Sequence, residues 1–162
     1  MGGIDDRFID RFSGQLGYSH CELVIDKNTM IGSHYKANGV KKFYYNDVYN
    51  SKYWDIYEID LEDVDTTKFA EDFIGTPYDK FGVVLTFFGF KTGDPDKMWC
   101  SEFLAEAINT SVAHGYIDPL VMPNELLEDL INNFGATKLV STASGSKEDL
   151  TVLDKYGRIA YG

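Results

Sequence analysis

The chain has 162 residues, enough for one domain with a sizeable core. Hydrophobic residues make up 44% and aromatic residues 15%, which excludes a disordered polar chain. A formal net charge of −11 repels phosphate backbones and anionic lipid, so nucleic acid and simple electrostatic membrane docking are not expected.

The opening residues, Met1 to Asp6, lack the basic segment and apolar run of a secretion signal, and Asp6 breaks the myristoylation pattern. No stretch approaches the roughly 20 apolar residues that span a bilayer. The two cysteines lie 79 positions apart, which is no disulfide framework, and no Cys/His spacing suggests a zinc site. The expectation is a cytoplasmic protein with both thiols reduced and no metal or other cofactor.

Ile4, Phe8, Ile9, Phe12 and Leu16 fall near helical spacing and predict a short amphipathic helix ending near Gly14 or Gly17. Tyr18 to Asp26 reads as a strand, and Met30 to Tyr35 as the second arm of a hairpin whose loop lies near Lys27 to Thr29. Val40 to Tyr45 and Tyr53 to Ile59 read as two more strands, the first following the turn Ala37-Asn38-Gly39. A helix is expected from about Thr66 to Ile74, capped by Thr66 or Asp65 and stopped by Gly75. Thr76 and Pro77 can start another helix. The run from Phe81 to Phe90 is apolar on all sides and predicts a buried helix or a buried strand.

Cys100 opens the next helix. Cys100, Phe103, Leu104, Ala107 and Ile108 recur at offsets of three and four, so one face is apolar and turned to a core. His114-Gly115 reads as the end of this helix, with His114 a cap at the negative pole in preference to a catalyst. Pro123 starts a helix through Leu126, Leu127, Leu130 and Ile131 that Gly135 ends. Residues Ala136 to Ser146 read as a surface loop. Thr151 to Leu153 and Arg158 to Ala160 flank a turn and predict a closing hairpin.

A thiol at a helix N-terminus faces orphan backbone N–H groups, which favour the thiolate and lower its pKa from about 8.5 toward roughly 3.5 to 7.5. By itself such a cysteine is as easily a small core residue. A base changes the balance, and strand alternation proposes one. His20, Glu22 and Val24 share one face, whereas Cys21, Leu23 and Ile25 share the other. The second set is apolar, so Cys21 reads as packing, and Cys100 is the candidate partner of His20. Glu22, about 6.6 Å from His20 along the strand, can hold one imidazole nitrogen and leave the other for a thiol. His34, on the second arm, is the alternative orienting residue. Alternatively, His20 and Glu22 are simply the wet side of a half-exposed strand.

Gly75-Thr-Pro-Tyr78-Asp79-Lys-Phe-Gly82, followed by Cys100-Ser101-Glu102-Phe103, resembles the two signature blocks of the NlpC-like papain-fold cysteine peptidases. The histidine strand precedes the cysteine by 80 positions, an order similar to the circularly permuted, YiiX-like branch, whose wider relatives include lecithin retinol acyltransferase. Small phage-encoded proteins of that branch begin in a similar way. The likeness covers roughly residues 4 to 112. It departs at Trp99 and Glu102, where ordinary members carry Asp and Gly.

The resemblance implies a single α+β domain over residues 1–162, with an antiparallel sheet packed against helices and the nucleophile at a helix N-terminus. It further implies Cys100 as nucleophile, His20 as general base, Glu22 as orienting residue and Tyr78 as a substrate or oxyanion contact. The implied activity is that of an amidase or peptidase, or of an acyl-ester hydrolase or acyl transferase. The implied substrates are peptides, isopeptides or acyl esters. The competing expectation is a non-catalytic phage accessory or virion protein that keeps the fold as a binding module.

Overall fold

The computed structural model describes residues 18, 20–49, 54–59, 66–112, 115–139 and 157–161. Strands β1 (Cys21–Asp26) and β2 (Thr29–His34) form the expected hairpin, with Leu23 opposite Ile31 and Val24 opposite Met30. Its turn is only Lys27-Asn28, tightened by the Asn28 N–H donating to Asp26 Oδ1 at 2.7 Å. Strand β3 (Gly39–Tyr44) pairs antiparallel with β2, placing His34 opposite Gly39. Strands β4 (Asp55–Ile59), β5 (Thr137–Lys138) and β6 (Gly157–Tyr161) complete a sheet of order β3-β2-β1-β6-β4-β5. Among the described residues, each strand pairing in it is antiparallel.

The C-terminal segment differs from its sequence reading. Thr137 and Lys138, read as surface loop, pair with Glu58 and Tyr57 of β4. β6 lies between β1 and β4 and pairs with both, so it is an interior strand of the sheet. A strand's partner across the sheet is set by tertiary docking, which neighbouring residues in sequence do not encode. The expected first arm at 151–153, the expected N-terminal helix at 4–16 and His114 lie outside the described residues.

Helices α1 (Thr66–Asp72), α2 (Lys80–Phe87), α3 (Cys100–Ser111) and α4 (Pro123–Phe134) make the second layer. α3 packs on β1, β2, α1 and α4, and its stripe of Cys100, Phe103, Leu104, Ala107 and Ile108 is buried as the spacing predicts. α4 begins at Pro123 and ends at Gly135, whose φ of 67° is the left-handed turn that glycine adopts without steric cost. α1 starts at Thr66, making that residue its first turn and not its cap.

α2 corrects a second expectation. Asp79, not Thr76, caps it: Oδ1 accepts from the Gly82 N–H at 2.7 Å. Its apolar run is not buried. Phe81, Val84, Phe88 and Phe90 are all exposed, and only Gly82 and Thr86 of the helix are buried. Composition alone cannot report burial once a short helix docks through its small residues.

The two faces of the sheet differ. Cys21, Leu23, Ile31 and Val40 join the α3 and α4 side chains in the main core. Val24, Met30, Val48 and Ile56 form a smaller cluster with Tyr45 and Trp54 packed against it. β1 is therefore covered on both sides, and the wet-face reading of His20 and Glu22 does not hold for Glu22, which is buried, while His20 is about a quarter exposed.

Candidate active site

The stretches that resemble signature blocks meet in space. The Val40 N–H donates to Thr76 O at 2.9 Å and the Gly75 N–H to Val40 O at 3.0 Å. Gly39, at φ 136°, lies where a Cβ would come 2.1 Å from Thr76 O, so only glycine allows the turn and the 75–78 segment to cross here. The Met98 N–H donates to Pro77 O at 3.0 Å, and Ser33 Oγ donates to Met98 O at 2.6 Å. These bonds tie the approach to α3 to both the Gly75–Tyr78 segment and the end of β2. The start of α3 is thereby set against the start of β1.

Trp99 and Glu102, the two departures from the family pattern, are structural. Trp99 is fully buried, and its Nε1–H donates to Ser101 Oγ at 3.0 Å and to Val121 O at 3.3 Å. Gly82 packs so closely that a Cβ there would meet the Trp99 ring at 2.9 Å. Glu102 Oε2 accepts from the Trp99 N–H at 3.2 Å, satisfying one of the helix's orphan donors. Burial first, then the nearby Asp79, Glu106 and Asp94, raise the Glu102 carboxyl to about 8, against the opposing pull of the Trp99 N–H.

Cys100 is the first residue of α3 and 4% exposed. The Cys21 thiol and backbone N–H and the His20 imidazole all hydrogen-bond its sulfur. Burial opposes ionisation, but the Cys21 bond and the His20 charge prevail, and the Cys100 thiol lies well below the ordinary range. Cys21 moves the other way, held up by burial and by its bond to Cys100. Cys21 is thus packed in the core as expected, yet it also contacts the candidate nucleophile. Alternation placed it on the core side but could not say which residue of α3 stands over it.

His20 sits one residue before β1, so strand alternation does not bind it, and its ring reaches both Cys100 and Glu22. Its Nε2 lies 3.1 Å from Glu22 Oε1 and 3.1 Å from His34 Nε2. Burial pushes the imidazole down, but the Cys100 sulfur and the Glu22 carboxylate together lift it to about 10.

Glu22 is fully buried. Its Oε1 is the hub of the network, with His34 Nε2 at 2.5 Å, His20 Nε2 at 3.1 Å and Tyr45 Oη donating at 3.1 Å. Burial raises the carboxyl, but the two imidazoles outweigh it and hold Glu22 down at about 2. Among the described residues, Oε2 has no hydrogen-bond partner. The choice between Glu22 and His34 as orienting residue does not arise in the simple form the sequence suggested, because both contact His20 through the same nitrogen. His34 in turn packs on Phe43, with ring centroids 3.9 Å apart.

Tyr78 is buried in the cluster that holds Trp99 and Cys100, and its ring stands edge-on to Tyr35 at 5.7 Å between centroids. Tyr45, which the sequence did not single out, is the network member that comes from outside the hairpin. Its only sequence signal is position: it follows the aromatic end of β3, whose register with β2 brings it alongside the Glu22 face.

Comparison with protein-family models, with curated proteins and with solved structures finds no match to this chain. Among the described residues, no helix is long and apolar enough to cross a membrane.

Proposed function

We propose that the chain is a cysteine hydrolase of the circularly permuted, papain-like type, phage-encoded in origin. The observation that carries the reading is a thiol at the first turn of a helix beside an imidazole whose Nε2 lies on a buried carboxylate. This is the nucleophile–base–orienter arrangement that activates sulfur for attack on a carbonyl.

In the proposed reaction His20 takes the proton of Cys100, and the thiolate attacks an amide or ester carbonyl. The Cys100 backbone N–H, in the first turn of α3, stabilises the developing oxyanion, and Tyr78 serves as a substrate contact. His20 then donates its proton to the leaving group as the tetrahedral species collapses to a thioester. Water, or an acceptor in a transfer reaction, releases the acyl group. Peptides, isopeptides and acyl esters are the substrate classes this chemistry serves.

The test is labelling with iodoacetamide at pH 6 in the presence of EDTA. Cys100 should be the alkylated residue, and Cys100→Ala should abolish labelling. Labelling at Cys21 instead would sink the assignment.

A second reading, a binding module that keeps the fold, is favoured by the low exposure of Cys100, 4%. It expects no alkylation of the folded protein at pH 6, so the same experiment separates the two.

A further inference from the structure

The His20, Glu22 and His34 side chains bring three potential metal-ligand atoms together. Three potential ligand atoms form a triangle with sides of 3.1, 3.1 and 2.5 Å. From those lengths, a point about 1.2 Å out of the triangle's plane lies about 2.1 Å from all three atoms, the bond length zinc takes with imidazole and carboxylate.

The hydrogen bonding of Glu22 is lopsided in the same sense. Oε1 faces two imidazole nitrogens and the Tyr45 hydroxyl, while Oε2, on a fully buried side chain, has no partner among the described residues. A buried carboxylate normally distributes its bonds over both oxygens. One oxygen crowded and one bare is what a cation-binding carboxylate shows when hydrogen bonds do the cation's work. The Tyr45 hydroxyl would then be the outer support that ligating carboxylates require. Both histidines are about a quarter exposed, which gives an ion a way in, whereas Glu22 forms the floor.

We propose that His20 Nε2, His34 Nε2 and Glu22 Oε1 form a binding site for one zinc-class divalent ion. Two imidazoles and one carboxylate select transition ions over magnesium or calcium, which prefer all-oxygen shells. On binding, the ion takes the place of the ring protons now shared with Glu22. The site shares His20 and Glu22 with the thiol chemistry proposed above, and an ion there would take the place of the orienting contact between them. Alkylation of Cys100 in EDTA tests the hydrolase reading, and ion titration tests this site, so the two can fail separately.

The experiment is titration of the full, EDTA-stripped chain with Co²⁺, followed by visible absorption, then displacement by Zn²⁺. One equivalent should bind and give the visible bands of a four- or five-coordinate nitrogen and oxygen site, without the intense near-ultraviolet band of thiolate ligation. Cys100→Ser should bind as the parent does. His34→Ala should weaken binding at least tenfold, and His34→Asn, which keeps a polar side chain at the strand end, should do the same with far-UV circular dichroism unchanged. Absence of binding at one equivalent overturns the proposal. So does retention of full affinity in both His34 variants, or loss of binding in Cys100→Ser, which would move the ion to the sulfurs.

Discussion

Gly32 lies so close to Glu22 that a Cβ at position 32 would come 2.6 Å from Glu22 Cγ and 3.1 Å from Cδ. The buried carboxylate owes its place to the missing side chain on the neighbouring strand. Glu22 is packed against backbone on one side and held by His20, His34 and Tyr45 on the other.

Gly32→Ala is therefore expected to displace Glu22 and loosen His20. Overpacking of this kind costs about 1–3 kcal/mol. Urea unfolding should show that loss, and alkylation of Cys100 at pH 6 should slow in parallel. An unchanged alkylation rate would mean that Glu22 does not position His20.

Cys21→Ala removes the thiol that hydrogen-bonds Cys100, a principal cause of its lowered pKa. A smaller thiolate fraction is expected at pH 6, so alkylation in EDTA should fall several-fold there and recover as pH rises past 9. Cys21→Ser keeps an O–H donor and should lose less. Mass mapping of the alkylated peptide checks that Cys100 remains the labelled site.

Glu102 sets a slope in stability against pH. Its carboxyl is lifted from 4.5 to about 8 in the folded chain. Between these values the folded state holds a proton that the unfolded state has released. Stability from this group is complete below about pH 4.5 and is lost as pH rises through about 8. Glu102→Gln, which cannot ionise, should flatten that decline. Chemical denaturation midpoints of both proteins between pH 5 and 9 give the comparison, and equal slopes would count against the buried, neutral carboxyl.

Trp99→Phe keeps most of the buried volume but loses the bonds to Ser101 and Val121. Ser101 Oγ still donates to Val121 O at 2.6 Å, so no carbonyl is stranded. The expected cost is about 1–2 kcal/mol, against about 3–5 kcal/mol for Trp99→Ala, which opens a cavity beneath the start of α3. Denaturant unfolding distinguishes them.

The histidine hairpin, the buried face of α3 and the Pro123 helix are legible in the residues because each follows a short-range rule. Alternation, three-and-four spacing and the Pro and Gly punctuation act over one or two turns of chain. The α2 run misleads because its composition is apolar all round, while docking uses only its small residues, Gly82 and Thr86. The Arg158–Ala160 strand was legible, but β5 and the place of β6 were not: two-residue pairing at Thr137 and insertion of β6 between β1 and β4 depend on partners far away in sequence.

The same division runs through the site. Sequence alone determined that a thiol opens an amphipathic helix and that a His-x-Glu pair lies near the start of a strand, since helix and strand periodicities are local properties of the chain. Only the tertiary structure decided that His20 slips past the end of β1 to meet Cys100, that Cys21 bonds the same sulfur, and that Tyr45 and His34 converge on one oxygen of Glu22. Those contacts arise from the packing of α3 on the sheet and from the register of β1, β2 and β3, where distant residues meet because each buries its neighbour's apolar surface.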